Sequence, residues 1–445
     1  MSGIEVIDDH GTESIDAEHA TVLASRFAGY LRELELPPGS RVAFQAHNSV
    51  WLVVAVLGCL RSGYVPVVIS DKLTVRERDE LTADVTPRLF VDDALLAGAF
   101  DGSPATLSDH WRCRPMHFTS GTSGRPKGVW SGWLDERLST ALITEEADAW
   151  SLSASDRHLV VAPLSHSAPL RFPLMTLMAG GSIVVPASFD PLVVSHIIDS
   201  GQATTSFMSP AHLQRLLEDA PPTASRMRLV AHAGSACPDH VRRLARATFG
   251  DEALREFYGS TEGQFTICTP PEFDEHPGTV GQARPGRSLR VDDDGHIWCR
   301  VPPHARFEYW GDPQKTLQTW DEDWFTVGDL GELGDDGYLY LNGRRSDLII
   351  SGGVNVYPAE IERVVLDHPE VTQAIAFGMD DERWGQRVCL AVVGTASQET
   401  LSQHCQSLLA PYKRPKDIYV VSELPQAHSG KVDRVRVPEF LGLES

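Results

Sequence analysis

Apolar runs alternate with amphipathic stretches over the first two-thirds of the chain. "RVAFQAHNS" (41–49) predicts a strand, "VWLVVAVLGCL" (50–60) a buried helix and "YVPVVIS" (64–70) a strand. "DRHLVVAP" (156–163), "GGSIVVP" (180–186) and "RLVAHAG" (228–234) predict further strands, with helical spacing in "PAHLQRLLED" (210–219) and "DHVRRLARATFG" (239–250). Continuous Val/Ile runs separated by helices point to sheets covered on both faces. From Gly281 to Tyr340 the pattern changes to short strands broken by Gly/Asp turns, as in "DDDGHIWCR" and "GDDGYLYLNGR", which predicts an antiparallel, barrel-like β subdomain. After "NGRRSD" the pattern restarts. "DLIISGGVNV" reads as strand and turn, "YPAEIERVVLDHP" as a helix with Pro358 in its first turn, and "VTQAIAFGM" and "RVCLAVVG" as strands. The expected architecture is α/β: a large N-terminal domain, residues 1–345, followed by a small α+β domain, residues 347–445.

Composition narrows the function classes. The 445 residues carry a net charge of −22, which argues against nucleic acid or an anionic membrane surface as a partner. The seven cysteines stand singly at 59, 113, 237, 268, 299, 389 and 405, with no Cys-x-x-Cys pair, so neither a disulfide framework nor a zinc site is expected and a reducing cytoplasm fits. The N-terminal "MSGIEVIDDHGTES" is polar and acidic, unlike a signal peptide, and the apolar run 50–60 is too short to span a bilayer.

"FTSGTSGRPKGV" (118–129) concentrates Gly, Ser, Thr and one Lys in a short segment. Glycines let backbone N–H groups converge on an anion, hydroxyls add donors, and Lys127 adds a point charge. The segment is not a P-loop of the G-x-x-x-x-G-K-[ST] kind, because its second Gly and the hydroxyl after the Lys are both misplaced. Four other segments follow in order: "FYGSTEG" (257–263), "FTVGDLG" (325–331), "NGRRSDLIISGG" (342–353) and "HSGKVDR" (428–434).

The loop and these four segments together resemble the adenylate-forming superfamily of acyl- and aryl-CoA ligases, peptide-synthetase adenylation domains and beetle luciferases. The resemblance extends from about residue 20 onward and is strongest to aryl-CoA ligases in "GRRSDLIISGGVNVYPAEIERV", "DERWGQ" and "YKRPKDI". It implies ATP, Mg²⁺ and coenzyme A. It places Thr119, Ser120, Gly121, Thr122, Ser123, Gly124 and Lys127 around the β- and γ-phosphates. Phe257, Tyr258 and Gly259 with Gly234, Ser235 and Ala236 would line the adenine, Thr261 would approach the α-phosphate, and Glu262 would hold Mg²⁺. Asp329, with Arg344 beside it, would take the ribose hydroxyls. Lys431 would bridge the acid carboxylate and the α-phosphate and stabilise the charge that develops there.

The same resemblance makes the small domain a mobile lid with its hinge at Ser346, where relatives more often carry Asp or Lys. It brings Gly353, Trp384, Lys413, Arg414 and Lys416 to a CoA thiol. Ile350 replaces the family's usual Lys, as in some aryl-acid relatives. The acid would sit beside His166, among Phe172, Phe207, Gly234, Gly263 and Phe265, whose rings suit an aromatic or bulky cyclic guest. The expected activity is an AMP-forming acyl-CoA ligase for a small carboxylic acid, compatible with a homodimer. The alternatives are an adenylating enzyme that serves a carrier-protein phosphopantetheine or partner enzyme, and a catalytically silent nucleotide sensor. Lys431, Glu262 and Asp329 together speak against the sensor.

Overall fold

The computed structural model describes residues 4–6, 11–119, 127–344, 347–351, 354–381, 384–426 and 432–443. Its centre is a sheet of seven strands. Five are parallel, in the order Ser182–Val185, Arg157–Val160, Thr205–Met208, Leu229–His232 and Leu254–Glu256, and Glu13–Asp16 and Glu5–Val6 extend the first edge antiparallel. These strands are Val/Ile/Leu-rich and nearly continuous in burial because helices cover both faces. A three-stranded parallel sheet, Val65–Val68, Arg41–Phe44 and Leu89–Val91, lies beside it.

The run 50–60 forms the expected helix, Val50–Ser62, buried on nearly every side; Ser49 caps its start by accepting from the Leu52 N–H, and Gly63 ends it at φ +84°. The preceding strand stops at Phe44, earlier than its sequence suggests. Four residues further on, the Asn48 side chain donates to the Ala162 carbonyl and accepts from the Leu164 N–H, each at 3.0 Å. That amide ties the small sheet to the loop leading into His166.

Residues 266–344 form two four-stranded antiparallel sheets around Phe265, Ile297, Phe325 and Leu339. From Ile349 the chain builds a separate five-stranded sheet with the helices Pro358–Leu366 and Gln398–Leu408, and the first of these packs on the strand Tyr338–Arg344. Among the described residues no helix is long and apolar enough to cross a membrane.

Three histidines are sealed in or beside the main sheet. His158, 1% exposed, lies 3.0 Å from the Thr205 hydroxyl and stacks on Phe172; burial pulls its pKa down to about 3. Burial pulls His117 down to about 4 and lowers His232 as well. All three are neutral in the fold and take up a proton on unfolding. Their stabilisation is complete above the unfolded value of about 6.5 and is lost as pH falls toward the folded values, by up to about 1.4 kcal/mol per pH unit for each group. Exposed His19 and His47, raised by Asp16 and Asp93, act in the opposite sense but are screened by solvent. The thermal unfolding midpoint should therefore fall between pH 6.5 and 5, above the range where carboxylates such as Glu145 titrate. His158→Gln should flatten that slope. A midpoint that stays level or rises over this interval contradicts the assignment.

Candidate active site

Ligands of open α/β sheets bind outside the carboxyl ends of the parallel strands. Here that edge presents residues 161–166, 233–236 and 257–263, each directly following a strand. The strands His117–Thr119 and Lys127–Trp130, which flank the "SGTSGRP" stretch in sequence, pair antiparallel. Ser120, Gly121, Thr122, Ser123 and Gly124 lie outside the described residues, as do Ser346, Gly353 and Lys431. At the foot of the hairpin the Thr119 hydroxyl is buried without a partner among the described residues. The Lys127 ammonium stands 3.4 Å from Asp312 and 3.8 Å from Asp84. In this structure Lys127 therefore braces the hairpin against two carboxylates, and a phosphate would have to share it.

The segment 257–263 folds back on itself, with the Ser260 N–H donating to the Gly263 carbonyl at 2.8 Å. Gly259 is required there, because a Cβ would lie 2.7 Å from that same carbonyl oxygen. Tyr258 packs on Phe265 and donates from its hydroxyl to Asp329 at 2.6 Å, which brings the proposed adenine face and ribose carboxylate together. Arg344 sits opposite Asp329 in the strand ladder, so the expected neighbours are neighbours. Glu262 is 6% exposed and accepts from the Tyr309 hydroxyl at 2.7 Å through one oxygen. Gly234, Ser235 and Ala236 are exposed at the end of Leu229–His232.

Thr261, Glu262 and Gly263 form one wall of a cleft of about 650 Å³, its solvent-open mouth included. Facing them are His117, Ser167 and Arg171. Ser167, Arg171, Leu174 and Met175 follow the i, i+4, i+7, i+8 spacing of one helix face, and all four line the cleft.

Four expected acid-contacting side chains do not line it. Phe172, next to Arg171 but turned about 100° around the helix, is 1% exposed and stacks on Phe207 at 5.7 Å. Phe207 and Phe257 complete that apolar cluster. Phe265, fully buried, packs on Phe325 in the β subdomain. His166 is the N-cap residue of the helix Ser167–Met178 and does not line the cleft either. The histidine that does is His117, 3.1 Å from the Ser165 carbonyl through Nδ1; since a carbonyl only accepts, Nδ1 carries the proton.

Behind this wall is a buried charge network that the sequence reading missed. Arg284, 1% exposed, donates to Glu146 and to the Gln264 side-chain oxygen, each at 2.9 Å, and lies 3.2 Å from Glu145. Arg287 and His304 close on Glu145 at 2.7 and 2.6 Å. Burial opposes ionisation of Glu145, but these partners hold its pKa down to about 2. Glu146 is lowered in the same way against its own burial, by Arg171 and Arg284. The signal was present in "ITEEADAW" and "QARPGR", but nothing in their spacing says that the two segments meet.

In the small domain the expected basic cluster is divided. Lys413 pairs with Glu360. Arg414 is committed to the carbonyls of Leu409 and Gln406 at 2.8 and 2.9 Å. Lys416 alone reaches Trp384, its ammonium 5.4 Å from the ring centre. Another unforeseen residue is Arg434, which pairs with Asp347 at 3.3 Å and with Glu362.

The sequence profile of the AMP-binding enzyme family matches residues 5–114 and 105–303, and that of the AMP-binding enzyme C-terminal domain matches residues 360–431. A 2-succinylbenzoate–CoA ligase of Bacillus licheniformis is 29% identical over 96% of this chain and 94% of its own. An indoleacetate–CoA ligase of Aromatoleum aromaticum is 30% identical over 94% of this chain and 92% of its own. The o-succinylbenzoate CoA synthetase of Bacillus subtilis, solved with the acyl-adenylate intermediate OSB-AMP, superposes with a TM-score of 0.83 at 25% identity, over 94% of this chain and 92% of that one. The chain belongs to the AMP-binding enzyme family, within the adenylate-forming superfamily of acyl- and aryl-CoA ligases.

Proposed function

We propose that this protein is an AMP-forming acid–thiol ligase that activates an aromatic or bulky cyclic carboxylic acid as acyl-AMP and then forms its CoA thioester. The observation that carries the reading is the set of unmet polar groups at the cleft. The Ser260 hydroxyl, which lines the cleft next to the buried Glu262 carboxylate with one oxygen committed to Tyr309, and the Thr119 hydroxyl at the end of its strand are both buried without a partner among the described residues. Orphaned buried donors are costly unless a ligand satisfies them. A triphosphate with its cation does so.

Glu262 suits Mg²⁺, which takes one or two carboxylates together with substrate phosphates. Among the described residues no group of three or more His, Cys, Asp or Glu could hold a metal by itself, so the donor set fits an ion that arrives with ATP. When bound, the ion neutralises phosphate charge. Tyr258 and Asp329 hold adenine and ribose. The acid carboxylate attacks the α-phosphorus, its oxygen forms the new P–O bond, and the α–β bond breaks to release pyrophosphate. Positioning and charge neutralisation supply most of the catalysis. His117, neutral by burial, adds no positive charge to this wall.

In this reading residues 1–345 bind ATP and acid, Ser346 is the hinge, and residues 347–445 form the lid that brings Lys431 to the α-phosphate and then exchanges it for the thiol. Trp384, with Lys416 over its ring, would pack on the CoA arm. The commitment of Lys413 and Arg414 to internal partners favours a second acceptor, a carrier-protein phosphopantetheine, which lacks the nucleotide phosphates those cations would meet.

Lys431→Ala should reduce acid-dependent pyrophosphate release by about 100-fold or more while ATP still binds; unchanged release overturns its role. Trp384→Ala should leave ATP–pyrophosphate exchange intact and slow thioester formation about tenfold, and equal loss of both half-reactions contradicts a two-state lid.

A further inference from the structure

The cleft wall that faces the adenylate segment is more positive than its own carboxylates can neutralise. Four guanidinium groups, Arg114, Arg171, Arg284 and Arg287, share two carboxylates, Glu145 and Glu146. Two positive charges are left over in an otherwise acidic protein. Arg284 and Arg287 are sealed behind the glutamates; Arg114 and Arg171 line the cleft and present the excess to it.

Neither of these two arginines is fully engaged. Arg114 has no carboxylate within ion-pair distance among the described residues, and its guanidinium donates only to the Arg306 carbonyl at 3.3 Å. Arg171 donates to Gln264 at 3.2 Å, but its buried Nε and the Glu146 Oε2 facing it at 3.4 Å both lack a hydrogen-bond partner. Burial, with Arg287 nearby, draws the Arg114 pKa down to about 10, as expected of a cation short of counter-charge. Glu262, the other acid of the cleft, is bonded to Tyr309 and faces the phosphate end. Uncompensated charge in such a setting is expensive and marks a place for a ligand of opposite sign.

We propose that the acid activated here carries a second, unreacting carboxylate, bound by Arg114 and Arg171. The proposal rests on the adenylating role argued above. The reacting carboxylate is a poor counter-ion for these groups. It loses its charge on becoming the mixed anhydride, so an arginine gripping it would stabilise the ground state against the transition state. A second carboxylate keeps its charge throughout, and a planar guanidinium can hold it through two hydrogen bonds. Its binding energy positions the first carboxylate at Thr261.

The test compares three matched probes in ATP–pyrophosphate exchange: an aryl monocarboxylic acid, the same ring bearing a second carboxylate on a short chain, and the half-ester of that second group. The diacid should be preferred over both by about 100-fold in kcat/KM. Arg114→Gln and Arg171→Gln should each shrink that preference at least about tenfold, chiefly through KM. Arg114, having no carboxylate partner, is the safer variant for folding. Equal use of diacid and half-ester, or variants that lower all three probes alike, overturns the proposal. If no acid supports exchange in the wild type, the adenylating reading fails. Calorimetric titration with the same diacid and half-ester then judges the anion site alone: selectivity lost in the variants upholds it, and absence of selectivity in the wild type refutes it.

Discussion

Arg284 is the cation on which the arrangement of the site depends. It is nearly sealed from water and bonds to Glu146 on the helix Glu136–Trp150 and to Gln264 just past the adenylate segment, while its backbone N–H donates to the Phe265 carbonyl at 2.9 Å. Three pieces of chain that are distant in sequence are thereby fixed at one point. Removing one partner of such a buried set costs about 3–5 kcal/mol, because the others are left charged and dry. That cost also secures direction: Gln264 and Glu146, both held by Arg284, are the groups that aim Arg171 into the cleft.

The consequence is a division of labour across the cleft. One wall, from Thr261 to Gly263, is backbone-rich and carries a single carboxylate, and in the proposed reading it deals with phosphate and metal. The other combines two helices with the loop that carries Arg114, presents Arg114 and Arg171 to the cleft, and in the proposed reading deals with the acid. An overall charge of −22 hides this local reversal, which depends on burial and pairing rather than on composition.

The segments proposed to handle ATP stand out in the sequence because their chemistry is local. A tight turn needs Gly259 and a phosphate loop needs its hydroxyls and glycines, and these constraints fall on consecutive residues that can be read in order. Strands and helices were legible for the same reason, down to the capped helix at Val50. The arginine-bearing wall does not stand out in this way. Arg171 and Phe172 are adjacent in sequence and point about 100° apart, so choosing between them requires knowing which face of the helix meets the sheet. The aromatic residue drew attention as a natural lining group, yet it packs into the core while the arginine faces the cleft. Likewise Lys413 and Arg414 read as one basic patch, but their partners, Glu360 and two helix-end carbonyls, lie in segments that the fold alone brings near.

The central claim, that ATP is cleaved between its α- and β-phosphates to form an acyl-adenylate at this cleft, is tested most directly by product analysis without a thiol. The protein would be incubated with ATP, Mg²⁺ and a diacid at near-stoichiometric concentration and the products resolved by mass spectrometry. The account predicts acyl-AMP and pyrophosphate in equal amounts, with free AMP and thioester appearing only after CoA is added. Release of ADP and phosphate, or of AMP with no acyl-adenylate, would contradict it.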